Sequence, residues 1–289
     1  MYNIIVNSTN VASPLNNIYN YQFKQGSFII EEGSQMMVSS LVIPYSWYNI
    51  SAKYNNNKFK YFWPVLTNTY LEYTITIPDG FYLQSTLDAY LKQWQVDNKL
   101  YLIDASGNYF YYMSFLANST TYGNQFLLKV VPLTLPSGYT APASFPGFPT
   151  AARTPYIEFL STSNFGKYAG FTTGTYPTTP VSQTTNYSVV SNITPQTTNV
   201  NSLVVKCNLV SNGISNSSDI LDAFSIGSST ASTFGSNLSF VNNIEKWVNV
   251  SDGRFNNVIF SIVDQNLNEI SILDNNILIS VLIRNKNEK

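Results

Sequence analysis

Short apolar runs alternate with turn residues along most of this chain, and that rhythm predicts β-strands. Residues 36–43 form one such run, stopped by Pro44, and 70–77 form another, β-branched and aromatic throughout and closed by Pro78-Asp79-Gly80. The same pattern recurs at 125–131, 203–210, 257–263, 269–273 and 276–283. Strand-length runs with Gly, Pro, Asn and Asp punctuation predict an all-β sandwich. One segment has a different period. Leu87, Tyr90, Leu91 and Trp94 fall at i, i+3, i+4 and i+7, after Ser85-Thr86-Leu87-Asp88, which resembles a capping box with Asp in place of Glu. A short amphipathic helix over about 86–94 follows, packed on the sandwich.

The densest β signal lies between Trp247 and Arg284. Asp252-Gly253 is a favoured tight-turn pair, 264–268 can close a hairpin, and 274–276 can turn the chain into its last strand. That last strand is apolar on both faces. It requires cover from the opposite sheet on one side and from a neighbouring element or subunit on the other. Two stretches, 132–155 and 172–200, read as long loops rich in Pro, Gly, Thr and Ser, although 187–190 could add a short strand. They are either flexible surface excursions or contact arms that order on a partner. No repeat at solenoid or propeller period is visible, so residues 1–289 read as a single domain with long loops.

Composition narrows the function. The 289 residues hold no histidine, one cysteine and 16 carboxylates, against 21 tyrosines and 18 phenylalanines. Without histidine, Ser-His and Cys-His nucleophile activation and most zinc sites are excluded. Only 11% of residues are charged, well below the roughly 25% of an average soluble domain. The surface is therefore neutral and polar, or largely covered by partners, and abundant tyrosine suits interfaces. The net charge of −1 and the lack of any Lys/Arg cluster argue against nucleic-acid binding. Cys207, inside an apolar run, reads as a buried inert thiol. The N-terminus does not read as a secretory signal, and no apolar run approaches the roughly 20 residues of a membrane span. Asp264, Asn266 and Asn268 match the first positions of a calcium loop, but Glu269 stands where glycine is needed and Asn275 where a bidentate Glu belongs. Asp79, Asp88, Asp104 and Asp264 are candidate carboxylates for a glycosidase pair, yet all sit where local hydrogen bonding accounts for an Asp. The glycines and lysine of 165–171 lack phosphate-loop spacing and read as a structural turn. No cofactor or metal is expected.

Four blocks carry a family resemblance. Ser39-Ser40-Leu41-Val42-Ile43-Pro44-Tyr45-Ser46-Trp47-Tyr48-Asn49-Ile50 is similar to the early strand and turn of the penton proteins of virophages and Polinton-like viruses. Ile75-Thr76-Ile77-Pro78-Asp79-Gly80-Phe81-Tyr82 with the following helix, Asn164-Phe165-Gly166-Lys167-Tyr168-Ala169-Gly170-Phe171, and the stretch from Trp247 to Arg284 resemble later parts of that family in the same order. They cover less than half of the residues, and both long loops fall outside them. The resemblance implies a single jelly roll of about eight strands in two sheets. It also implies a non-enzymatic minor capsid protein of the virion, forming homopentamers at the five-fold vertices of an icosahedral shell made by a double jelly-roll major capsid protein. Rotational symmetry requires heterologous contacts between copies. Candidate interface anchors are Tyr45, Trp47, Tyr48 and Phe62, with the sandwich core or its ends as the competing place for most of them and an even choice for Trp47 and Tyr48; Trp63 reads better as core. The competing reading is a carbohydrate- or receptor-binding β-sandwich module in which exposed Tyr and Trp stack on glycans.

Overall fold

The apolar runs pair into antiparallel sheets, and the chain is all-β with two α-helices among the described residues. The computed structural model describes residues 1–213, 215, 217–228 and 233–285. The chain folds as two compact units, Met1–Trp47 with Val200–Lys289, and Tyr48–Asn199 as an insert between them in sequence. The first segment carries β1 (Tyr2–Asn7), β2 (Ile18–Gln22), β3 (Phe28–Ile30) and β4 (Gln35–Pro44). The insert carries β5 (Lys58–Pro64), β6 (Tyr70–Thr76), α1 (Gln84–Asp97), β7 (Tyr101–Asp104), β8 (Tyr109–Tyr111), β9 (Met113–Asn118), β10 (Gly123–Leu128), β11 (Tyr139–Thr140), β12 (Tyr156–Phe159), α2 (Phe165–Ala169), β13 (Gly174–Tyr176) and β14 (Tyr187–Val190). The chain returns through β15 (Ser202–Cys207), β16 (Ile220–Ser225), β17 (Asn237–Val241), β18 (Val248–Asn249), β19 (Gly253–Phe255), β20 (Asn257–Asp264) and β21 (Leu278–Arg284).

In the first unit the strand order is β1-β21-β4-β17 in one sheet and β16-β15-β20-β2 in the other. Lettering these eight strands B to I in chain order gives sheets B-I-D-G and C-H-E-F, the strand order of a jelly roll. The whole insert therefore lies in the connection between strands D and E. Period-two alternation supplies the core. Leu41, Ile43, Leu238, Ile279, Val281 and Ile283 are buried from one sheet, and Leu203, Val205, Cys207, Val258, Phe260 and Ile262 from the other. Each large aliphatic or aromatic side chain so buried contributes about 1.5–3 kcal/mol. Phe224 on β16 and Phe240 on β17 join the edges of the two sheets, their rings 5.2 Å apart.

Two details differ from the sequence reading. Residues 269–273 form no strand. Ile270 and Ile272 are buried, but Ile272 N donates to Leu15 O and Leu273 N to Ser46 O, so the alternation anchors a loop to two other loops. Asp252-Gly253 closes no hairpin either; it carries the chain from β18, paired with β4, to β19, paired with β3.

The insert holds three sheets, ordered β13-β12-β5-β6, β14-β10-β9 and β11-β7-β8. Its core is aromatic: Phe59 stacks on Phe165 at 4.7 Å, and Phe159 on Phe171 at 5.2 Å. Such pairs add about 0.5–1.5 kcal/mol beyond their buried area. Leu87 and Leu91 of α1 are fully buried, with Tyr90 and Trp94 packed against the same core. The helix is longer than its apolar stripe. It starts at Gln84, and the capping hydroxyl is that of Thr86, which accepts from Leu83 N at 2.9 Å. Asp88 is not a cap: it is buried, accepts from Phe115 N at 2.7 Å and pairs with Lys92 at 2.6 Å.

Both long stretches fold onto the insert. In 132–155, Tyr139–Thr140 pairs with β7, while Phe145 and Phe148 pack against the core. In 172–200, β13 pairs with β12 and β14 with β10; beyond them Ile193 N donates to Gly170 O and Gln196 N to Lys167 O. Residues 165–169 are a helix rather than a turn, ended by Gly170 at φ +89°. A Cβ on Gly170 would stand 2.7 Å from Ser191 Cβ and 2.9 Å from Ile193 O, so the return of the chain requires glycine there.

Candidate assembly surface

The last strand, apolar on both faces, is central in its sheet, between β1 and β4. Its inner residues Ile279, Val281 and Ile283 are buried. Its outer residues meet those of three neighbouring strands in register. One row across the sheet reads Ile5, Ser280, Ser40, Val241, and the next Asn7, Leu278, Val42, Ser239. Neither row contains a charged residue. Ile5 is 50% exposed, Val241 66% and Leu278 41%. Hydroxyls knit the centre: Ser39 Oγ donates to Ser280 Oγ at 2.8 Å, and Ser280 Oγ to Asn3 Oδ1 at 3.3 Å. Among the described residues of these strands, charge stands at one end, where Arg284 stacks 4.0 Å over Trp247 and approaches Glu245 at 3.6 Å. Two rows of uncharged side chains bury against a partner without stripping water from ions.

This face was half legible. The two-sided apolar strand pointed to it, but Ile5, Val42 and Val241 join it only through cross-strand register, which depends on long-range pairing.

The aromatic candidates lie elsewhere. Tyr45 and Trp47 are 5% and 3% exposed, with ring centroids 4.6 Å apart. Phe62 is 8% exposed and stacks on Tyr156 at 4.2 Å. Tyr48 is half-buried. Within the single chain these rings serve their own units; of the four, Tyr48 offers the most surface to a partner. Trp63 is fully buried, edge-on to Tyr112 at 4.9 Å, as a core residue is expected to be.

Asn49, in the same sequence block, has a role that the sequence did not reveal. Its Nδ2 donates to Tyr82 O at 2.8 Å and Thr197 O at 3.2 Å, its Oδ1 accepts from Tyr82 N at 2.8 Å, and its carbonyl accepts from Asn199 Nδ2 at 2.8 Å. One buried amide thus ties the first residues of the insert to its last.

Each group with chemical potential has a local structural role. Asp79 accepts from Ala52 N at 2.8 Å, and Asp88 is engaged as described above. Asp104 Oδ1 accepts from Ser106 N and Asn108 N, and Asp264 Oδ1 from Asn266 N and Asn268 N, so both organise turns. The hydrogen bonds from Asn108 hold the Asp104 carboxyl below its ordinary range. Cys207 is 1% exposed, and desolvation pushes its thiol up to about 12, far from a nucleophile at neutral pH. Among the described residues no three His, Cys, Asp or Glu side chains gather as a metal site requires, and no helix is long and apolar enough to cross a membrane.

No family model matches the chain, and no curated protein matches it. Among solved structures, it is similar to the selenomethionine-labelled mavirus penton protein, with a TM-score of 0.45 and 9% identity over 98% of each chain. It is also similar to a chain of the Sputnik virophage structure determined by cryo-electron microscopy, with a TM-score of 0.43 and 14% identity over 98% of this chain and 96% of that one. Both scores lie below 0.5, and the jelly roll rests on the strand order of the chain itself.

Proposed function

We propose that this chain is a structural, non-enzymatic subunit of a viral capsid, a penton whose copies form rings of five at the vertices of an icosahedral shell. The observation that carries the reading is the B-I-D-G sheet of a jelly roll whose outer rows, Ile5 to Val241 and Asn7 to Ser239, are free of charge. The sequence blocks that resemble virophage pentons support it independently. So does the composition: with no histidine and 11% charged residues, the chain is suited to covered surfaces rather than to proton transfer. Its partners in this reading are other copies of itself and a double jelly-roll major capsid protein, and its place is the virion vertex.

A ring needs two different patches that meet between neighbours. The outer sheet face is one candidate patch; an interface role for Tyr48 is part of the same proposal. Co-expression with the shell protein of the same virus, followed by sedimentation, tests the reading. Comigration with assembled shells at vertex stoichiometry is expected. A chain that stays at the top of the gradient whenever shells form would refute it.

A further inference from the structure

A second surface, in the insert, is built for a ligand rather than for assembly. We propose that the hairpin between β9 and β10 carries a binding site for a neutral oligosaccharide. A pocket of about 310 Å³ opens there, lined by Gln84, Asn118, Ser119, Tyr122, Asn124 and Thr197 among others, none of them charged. Its volume is at the small end of ligand pockets, roughly 300–1,000 Å³.

Three observations support the assignment. Tyr122 is 85% exposed and held at φ +50°, a left-handed conformation that a bulky residue adopts only when its surroundings impose it. The imposition is visible at the next residue. A Cβ on Gly123 would stand 2.3 Å from Ser191 Oγ, and Asn124 exchanges hydrogen bonds with Ser191 through its N–H to Oγ at 3.2 Å and its carbonyl from Ser191 N at 2.8 Å. The hairpin backbone is thereby clamped beside the end of β14, which fixes where the Tyr122 ring leaves it.

The second observation is the chemistry of the lining. Gln84 and Asn118 bring carboxamides, the latter with one lone pair taken by Thr120 N at 3.2 Å and one N–H by Gln125 Oε1 at 3.5 Å, and Ser119 and Thr197 bring hydroxyls. Paired donors and acceptors match the vicinal hydroxyls of a sugar, and an exposed tyrosine face matches the C–H face of its ring. Without a charged side chain the pocket offers nothing to a phosphate, a sialic acid or a metal ion.

The third is an unmatched polar atom. Asn124 is 1% exposed and lines the pocket; its Nδ2 donates to Ala169 O at 3.0 Å, while its Oδ1 has no protein partner. A buried acceptor without a protein partner is costly; the atom itself is closed to the pocket, so a water held behind the lining would satisfy it and make that wall polar.

Saturation-transfer NMR on the full chain with maltotriose, cellotriose, mannotriose and chitotriose, together with a glycan array, tests the proposal. At least one neutral oligosaccharide should bind below about 10 mM, and Tyr122→Gly, which keeps the backbone conformation, should weaken it by about tenfold or more. Tyr122→Phe should retain binding, and Asn118→Ala should reduce it. Circular dichroism melts of the variants, matched to the parent, show that the fold is intact. The inference does not rest on the penton reading, and ring formation should be unchanged in Tyr122→Gly. No binding of any neutral oligosaccharide, binding indifferent to Tyr122→Gly, or binding confined to sialylated or sulfated glycans would overturn it.

Discussion

Asp104 and Asp264 build two loops on one plan. In each, Oδ1 accepts from the N–H groups two and four residues on, and Oδ2 takes the amide of the asparagine four residues on, at 3.1 and 3.2 Å. The residue before that asparagine has positive φ: +83° at Gly107 and +64° at Leu267. Glycine sits there without strain, whereas leucine costs about 1–2 kcal/mol. Leu267→Gly is therefore expected to raise stability by about 0.5–1 kcal/mol after the added freedom of the unfolded chain is subtracted. Urea unfolding reads this, and a lower midpoint would show that Leu267 packing outweighs the strain. The plan also fixes a pH response. The folded carboxyl of Asp104 is held below its unfolded value, so its contribution is present above the unfolded pKa and is lost as pH falls through the folded one. Asp104→Asn should flatten the acid limb of the stability curve; a limb unchanged in this variant would remove Asp104 from the account. The turn role of Asp264 was legible because the failed calcium spacing left local hydrogen bonding as the explanation. The strain at Leu267 was not, since nothing in a leucine announces positive φ.

Among the elements, α1 shows where periodicity succeeds and where it stops. Leu87 and Leu91 are buried as their spacing requires. Gln95 follows at the next i+4 position, on the same face, and is fully buried too. Its Oε1 accepts from Tyr112 N and Met113 N at 2.9 Å each, and its Nε2 donates to Met113 O at 2.8 Å and Leu91 O at 3.2 Å. A polar residue on an apolar face looks like the end of a stripe, although its register with Leu87 and Leu91 was the signal that it continued. Gln95→Leu removes the partner of two buried N–H groups and should cost about 2–4 kcal/mol, read as a lower unfolding midpoint. A change under about 0.5 kcal/mol would mean that those groups find other partners. The strands at 36–43, 70–77 and 257–263 were legible from β-branched and aromatic alternation, and each matches an observed strand to within two residues. Residues 269–273 alternate equally well but pair only through the single bridge from Glu269 to Val263 among the described residues, and alternation records burial, not pairing.

For the whole molecule, alternation predicted a β-sandwich and the family resemblance a jelly roll, but neither marked the boundaries at Trp47/Tyr48 and Asn199/Val200. Both units are made of the same short, aromatic and β-branched runs, so no shift in composition marks the passage between them, and Asn49 identifies itself only once Thr197 and Asn199 are seen beside it. The candidate assembly surface belongs to this scale, because the face forms only when four strands are in register. Ile5→Glu with Leu278→Glu places charge on two exposed positions of the outer face. Folding stability should change by less than about 1 kcal/mol, since neither side chain is core, while association into rings is lost. Sedimentation velocity and a thermal melt of the double variant read both; rings that persist would move the interface to another face. The most direct measurement of the central claim is native mass spectrometry of the purified chain across a concentration series. A discrete assembly of five 32.4 kDa chains, growing with concentration, is expected. A monomer alone at every concentration, or a closed dimer or trimer in place of the five-membered ring, would contradict it.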